Sequence, residues 1–170
     1  MYQQLLKLSG DKIAKNENYF ILDSDTVLVS ENNFMEDGKF VFLQNKEWHQ
    51  PYFDSFEKIF GYRTKNKLSF TSHMMIFNKV MLQEMKGEME KKWRKPWDQV
   101  YLSTVNENEM SCVSDYDTYA NWVLCNYSEK VIQRPFYNKS IKRENFADLK
   151  ELERIYGNKY KSISFHSYLK

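Results

Sequence analysis

Two short acidic segments carry the carboxylates best placed for chemistry. In Asp23-Ser24-Asp25, two carboxylates one residue apart follow the apolar run Tyr19-Phe20-Ile21-Leu22. A short apolar run that ends abruptly in polar residues suits a strand buried on both faces, as in a parallel sheet. Ligands of open α/β sheets bind beyond the carboxyl ends of such strands. Two carboxylates there can hold Mg²⁺ or Mn²⁺, which favour hard oxygen ligands and share phosphate oxygens. The plainer alternative is a turn in which Asp holds its own backbone. The second segment is Ser114-Asp115-Tyr116-Asp117-Thr118-Tyr119. Both of its carboxylates fall in a predicted first helical turn, where free amides and the helix dipole favour anions. Capping accounts for them; the functional alternative is a general base that deprotonates a hydroxyl nucleophile.

The histidines differ in context. His166 follows a predicted strand late in the chain and could complete an Asp/His metal set, since neutral imidazole is a good Mn²⁺ ligand. His73 lies between two short apolar pieces, where it could orient a substrate hydroxyl or satisfy a buried backbone group. His49, near Trp48 and Pro51, reads as a loop or helix-start residue. The sequence has no Gly-rich phosphate loop, Gly-x-Ser-x-Gly elbow or Cys-x-x-Cys pair.

The elements that must position these groups alternate between strand and helix, which gives an α/β class. A helical stripe is expected over Tyr2 to Asn16, weakened at Ser9-Gly10. Strands are expected at Tyr19–Leu22, Thr26–Val29 and Phe40–Leu43, the last two joined by a polar turn containing Asp37-Gly38. A helix from Pro51 to Phe60 should stop at Gly61. Met75-Ile76-Phe77 is a short apolar piece, after which Asn78 should cap a helix running to about Trp93, closed by Pro96. A short helix is expected over Trp97 to Val105, and a helix over Tyr119 to Tyr127 behind the Ser114/Asp117 capping pattern. Val131-Ile132 suggests a strand. Glu144 to Tyr156 reads as an amphipathic helix with Leu149, Leu152 and Ile155 inward, before a last strand at Ser162–Phe165.

Composition narrows the function classes. The 170 residues suggest one domain with one core. The hydrophobic share of 42% and charged share of 28% are globular values. Lys+Arg total 25 against Asp+Glu 23, so a net charge of +2 supplies no field for gripping nucleic acid. No apolar run reaches spanning length and no hydrophobic leader opens the sequence, so a cytoplasmic location is expected. Cys112 and Cys125 cannot build a disulfide framework and lack metal-site spacing. Aromatics are plentiful at 16%; Tyr and Trp suit sugar pockets, and an aromatic-rich core is the alternative.

With these residues in view, Tyr19 to Val27 resembles the metal-binding Asp-x-Asp segment of GT-A glycosyltransferases. Three blocks together, Leu22–Thr26, Thr71–Phe77 and Ser114–Tyr119, resemble an uncharacterised bacterial group of GT-A-like proteins. The resemblance runs from about Tyr2 to about His166. It implies a GT-A-like mixed sheet flanked by helices and transfer of a sugar from a nucleotide-sugar to a hydroxyl acceptor, such as a surface glycan. Asp23 and Asp25 would hold Mn²⁺ or Mg²⁺ against the donor diphosphate, with His166 as third ligand. Asp115 or Asp117 would lie by the acceptor hydroxyl, lined also by His73. The family pattern usually has Glu at the positions of Asp115 and Asp117, so each carboxylate is one methylene shorter here. Only residues 1–22 precede Asp23, whereas GT-A enzymes carry a nucleotide-binding part before this strand. The resemblance therefore implies an N-terminally truncated, carboxyl-terminal portion whose open edge pairs with a second copy or a complementing chain. Two other readings stand beside it: a non-catalytic remnant or scaffold subunit, and a metal-dependent phosphate-ester hydrolase.

Overall fold

Ser9 breaks the expected opening helix in two, because its hydroxyl donates to the Leu5 carbonyl at 2.8 Å and its backbone leaves the helical region. The result is α1 (Tyr2–Leu8) followed by α2 (Gly10–Ile13). Gly10 is required there: a Cβ would stand 2.3 Å from the Tyr19 ring. The chain continues as β1 (Asn18–Leu22), β2 (Thr26–Leu28), β3 (Met35–Glu36), β4 (Lys39–Gln44), α3 (Gln50–Phe60), β5 (Met74–Asn78), α4 (Lys79–Trp93), α5 (Trp97–Leu102), α6 (Asp115–Asn126), β6 (Val131–Pro135), β7 (Asn138–Lys142), α7 (Leu149–Tyr156) and β8 (Ser162–His166). This computed structural model describes residues 1–64, 66–106, 108–109, 111–145 and 148–166. The fold is mixed α/β. Among the described residues no helix is long and apolar enough to cross a membrane.

The strands form three small sheets. β1 pairs antiparallel with β5; β8 lies between β2 (antiparallel) and β7 (parallel); β4 lies between β3 (antiparallel) and β6 (parallel). The expected doubly buried parallel strand at Tyr19–Leu22 is corrected accordingly. Phe20 and Leu22 are 41% and 39% exposed, and alternate with half-buried Tyr19 and Ile21. A continuous apolar run does not reveal its partner's direction, and Phe20 is partly covered by Phe34 instead, with ring centroids 4.3 Å apart. The Asp37-Gly38 turn joins β4 to β3 rather than to β2. Both residues have positive φ (49° and 74°), as a two-residue hairpin turn requires.

α6 lies between α1, α3 and α4 and is the best-buried helix: every residue from Asp115 to Val123 is buried. Its apolar side joins Phe42, Phe70 and Phe77 in the main cluster. The single core expected from chain length is joined by a satellite cluster of Val29, Ile141, Leu152, Ile163 and Phe165 beneath α7. From α7 that cluster takes Leu152, fully buried, and part of Tyr156, whereas Leu149 and Ile155 are 50% and 49% exposed, contrary to expectation. α7 also begins later than predicted, at Leu149 behind its Asp148 cap, after a 3-10 turn at Arg143–Asn145; the intervening Phe146 and Ala147 lie outside the described residues. α4 stops at Trp93 on a left-handed Arg94, ahead of Pro96.

One ion pair inside the helical layer makes a stability prediction. Lys86 Nζ lies 2.5 Å from Asp11 Oδ1, both side chains nearly inaccessible, and 4.4 Å from the centre of the Trp97 ring. Burial pushes the Lys86 ammonium below its ordinary range, while Asp11 pulls the other way. Asp11→Ala strands that ammonium and is expected to cost about 3–5 kcal/mol. The paired change Asp11→Leu with Lys86→Met is expected to be near neutral by denaturant unfolding.

Candidate active site

The Asp-Ser-Asp segment links β1 to β2, and each of those strands has a different partner. β1 pairs with β5 up to Leu22–Met74, and the Asp23 amide then donates to the His73 carbonyl at 2.8 Å. β2 pairs with β8 from Thr26–Ser164, and the Phe165 amide donates to the Asp25 carbonyl at 2.7 Å. The two registers therefore bring to one turn the histidine just before β5 and the histidine that ends β8. His73 Nδ1 lies 3.4 Å from Asp23 Oδ2, and His166 Nδ1 lies 3.4 Å from Asp25 Oδ2. The two imidazole rings are 5.1 Å apart. His73 has a φ of 58°, in the left-handed region, a costly conformation for a non-glycine residue that proteins keep mainly at ligand sites.

α6 enters the same cleft by its amino end. Ser114 caps it, its hydroxyl accepting from the Asp117 amide at 3.1 Å. Asp115, the first helical residue, lines the cleft and is only 4% exposed. Its Oδ2 makes no hydrogen bond; the Lys7 ammonium of α1 stands 3.3 Å away. Lys7 is closer still to Asp23 Oδ1, at 2.6 Å, and sits 4.1 Å over the Tyr116 ring. The Tyr116 hydroxyl donates to the same Asp23 oxygen at 3.0 Å. Burial alone would raise the Asp23 carboxyl, but the His73, Lys7 and Tyr116 contacts outweigh it and hold it below its usual range. Burial dominates at Asp115 and, against the pull of Lys7, raises its carboxyl to about 6. The cleft, about 460 Å³, also reaches Tyr52, Thr71 and Ser111. His49 is structural: its Nε2 meets the Ser111 carbonyl at 2.7 Å beside α3.

A family of unknown function, DUF6492, matches residues 1–162. The chain belongs to that family. No curated protein matches it. Within this DUF6492 chain the matched stretch holds Asp23, Asp25, His73 and Asp115, and His166 follows just beyond it.

The site departs from expectation at two points. Asp23, Asp25 and His166 do not form one three-ligand set; Asp23 is taken up by Lys7, Tyr116 and His73. Among the described residues of this DUF6492 protein, no group of three or more His, Cys, Asp or Glu side chains could hold a metal ion. Asp117 is absent from the cleft wall. Its carboxylate accepts from the Phe70 amide at 2.8 Å, the Thr71 hydroxyl at 2.7 Å and the Ser69 hydroxyl at 3.0 Å, tying residues 69–71 to α6. Asp117→Ala leaves those three donors without their acceptor and is expected to cost about 3 kcal/mol in urea unfolding. The protein that remains folded should keep its cleft ligands, as a fastening residue predicts. Sequence reasoning missed Lys7 and Tyr116. Tyr116 had a signal, standing between the two carboxylates; Lys7 had none, being one lysine on a short helix.

Proposed function

We propose that this DUF6492 protein is a metal-dependent glycosyltransferase, or the carboxyl-terminal portion of one, on a GT-A-like frame. The observation that carries the reading is the convergence, in one cleft, of Asp23, Asp25, His73, Asp115 and His166 from four separate places in the chain. Three carboxylates face one ammonium there, so a free diphosphate would meet repulsion and is better received together with a cation.

The donor set suits such a cation in a limited form. Asp25 and His166 offer a hard oxygen and an imidazole nitrogen side by side. Mg²⁺ and Mn²⁺ are commonly held by one or two protein ligands, with substrate phosphates and water completing the shell. When bound, the metal would offset charge gathering on the departing nucleoside diphosphate. In the transfer itself, the bond between the sugar's anomeric carbon and the phosphate oxygen breaks, and its electron pair leaves with the diphosphate. The acceptor oxygen forms the new bond, and its proton passes to Asp115 as general base. Asp23, fixed by Lys7 and Tyr116, and His73 beside it would orient sugar hydroxyls.

The deciding experiment is calorimetric titration of UDP and GDP, with and without Mn²⁺. Mn²⁺-dependent binding of either supports the reading, and no binding by folded protein sinks it. The buried Lys7 ammonium, already neutralising Asp23 and Asp115, favours a second reading: a non-catalytic binding subunit indifferent in any functional assay to Asp25→Asn and His166→Ala.

A further inference from the structure

A larger cavity, about 680 Å³, opens at the opposite end of α6 from Asp115. Its wall is formed by the carboxyl end of α6, by Ser128 and Gln133, and by the stretch after α3 that includes Tyr62 and Lys67. The Tyr62 hydroxyl is buried and makes no well-aligned hydrogen bond among the described residues, with Asn126 and Glu88 as polar neighbours. A buried hydroxyl without a well-aligned partner is a place where a ligand can complete the bonding.

A second hollow of about 240 Å³ shares Arg63, Thr64 and Asn66 with this cavity as a common wall. It is floored by Trp48, which stacks on Phe53 with centroids 3.9 Å apart and planes 10° from parallel. Trp48 is nonetheless 49% exposed. With one face on Phe53, its exposure belongs to the other face and the edge. Charges along the groove nearly cancel: Arg63 pairs with Glu57 at 2.7 Å, and Lys67 is set against Glu88 and Asp54. Apart from Leu124 and Cys125, the lining is otherwise hydroxyls and amides around aromatic rings, which matches a ligand with many hydroxyls, apolar C–H faces and no charge.

We propose that this groove binds an uncharged oligosaccharide, with Trp48 as stacking platform and the Tyr62 hydroxyl as a buried hydrogen-bonding group. The hollow and the cleft stand on neighbouring residues of α3, Phe53 lining the hollow and Tyr52 the cleft. The 12 residues of α6 separate the two ends by about 18 Å. Its use as the remote hold on a glycan acceptor rests on the transferase reading; sugar binding itself does not.

Ligand-observed NMR titration with maltohexaose and chitohexaose, and with polygalacturonate as the charged comparison, tests this. At least one uncharged hexasaccharide is expected to bind, about tenfold more weakly to Trp48→Ala and severalfold more weakly to Tyr62→Phe. Thermal melts establish that both variants are folded. Three results overturn the proposal: no binding of either hexasaccharide, binding unchanged by Trp48→Ala, or preference for polygalacturonate. Titration of the same samples with UDP and Mn²⁺ separates the two ideas. Nucleotide binding without sugar binding overturns the groove alone, and sugar binding without nucleotide binding overturns the transferase reading alone.

Discussion

Asp25→Asn is expected to abolish the Mn²⁺-dependent part of UDP binding while leaving the fold intact. The Asp25 side chain is 46% exposed, and its ionic contact among the described residues is with His166 at 3.4 Å, so the substitution removes a charge that water already solvates. An amide keeps the shape and can still meet the imidazole, but it is a poor ligand for a hard dication. The loss should therefore appear as lost metal dependence rather than as a lower melting temperature. Asp23→Asn separates this effect from general damage. The Asp23 side chain is only 16% exposed and holds Lys7 at 2.6 Å. Weakening that pair should destabilise the protein by a few kcal/mol. Metal dependence that survives Asp25→Asn and fails only with Asp23→Asn would move the cation site to the other carboxylate. Metal-dependent binding indifferent to both would leave the Asp-Ser-Asp turn structural.

What the sequence disclosed, and what it concealed, divides by range. Signals confined to a few residues were legible: Asn78 caps α4 by accepting from Met81, Ser114 caps α6, Gly61 ends α3 at a φ of 82°, and Asp37-Gly38 makes a hairpin turn. Each depends on backbone geometry that one side chain decides. Pairings across the chain were not legible. Asp115 and Asp117 look equivalent in sequence, both acidic and both in the first turn of one helix. Two residues in a helix are rotated by about 200°, so one meets the cleft and the other meets residues 69–71. Nothing near position 117 announces Ser69 or Thr71 as its partners. The same holds for the direction of β1, set by β5 more than fifty residues later, and for Lys7 and Asp115, which meet only because α1 packs on α6. His73 and His166 were suspected singly. Their approach to one turn follows from two strand registers, which the residues around them do not encode.

On the transferase reading, which puts Asp115 on the acceptor side, Asp115→Asn is expected to lower sugar transfer by roughly 10²–10⁴-fold while sparing nucleotide binding. The pH profile distinguishes a base from a structural group. The Asp115 carboxyl, raised to about 6 by burial, must be ionised to accept a proton, so wild-type transfer should fall as pH drops through about 6. The residual activity of the Asn variant should lack that step. Stability runs the opposite way. The folded protein binds the Asp115 proton more tightly than an unfolded chain, whose carboxyl titrates near 3.8. This contribution is full below 3.8 and is lost as pH rises through about 6, so wild type should lose up to about 3 kcal/mol relative to the Asn variant across that window. Asp23, held below its ordinary value, contributes oppositely and elsewhere: its stabilisation is present above 3.8 and is lost as pH falls further. Urea unfolding of wild type and the Asn variant at about pH 4 and about pH 7 reads the first window without interference from the second. A rate loss without the change in pH profile would make Asp115 a fastening residue like Asp117. A rate indifferent to the substitution would leave the acceptor without its base.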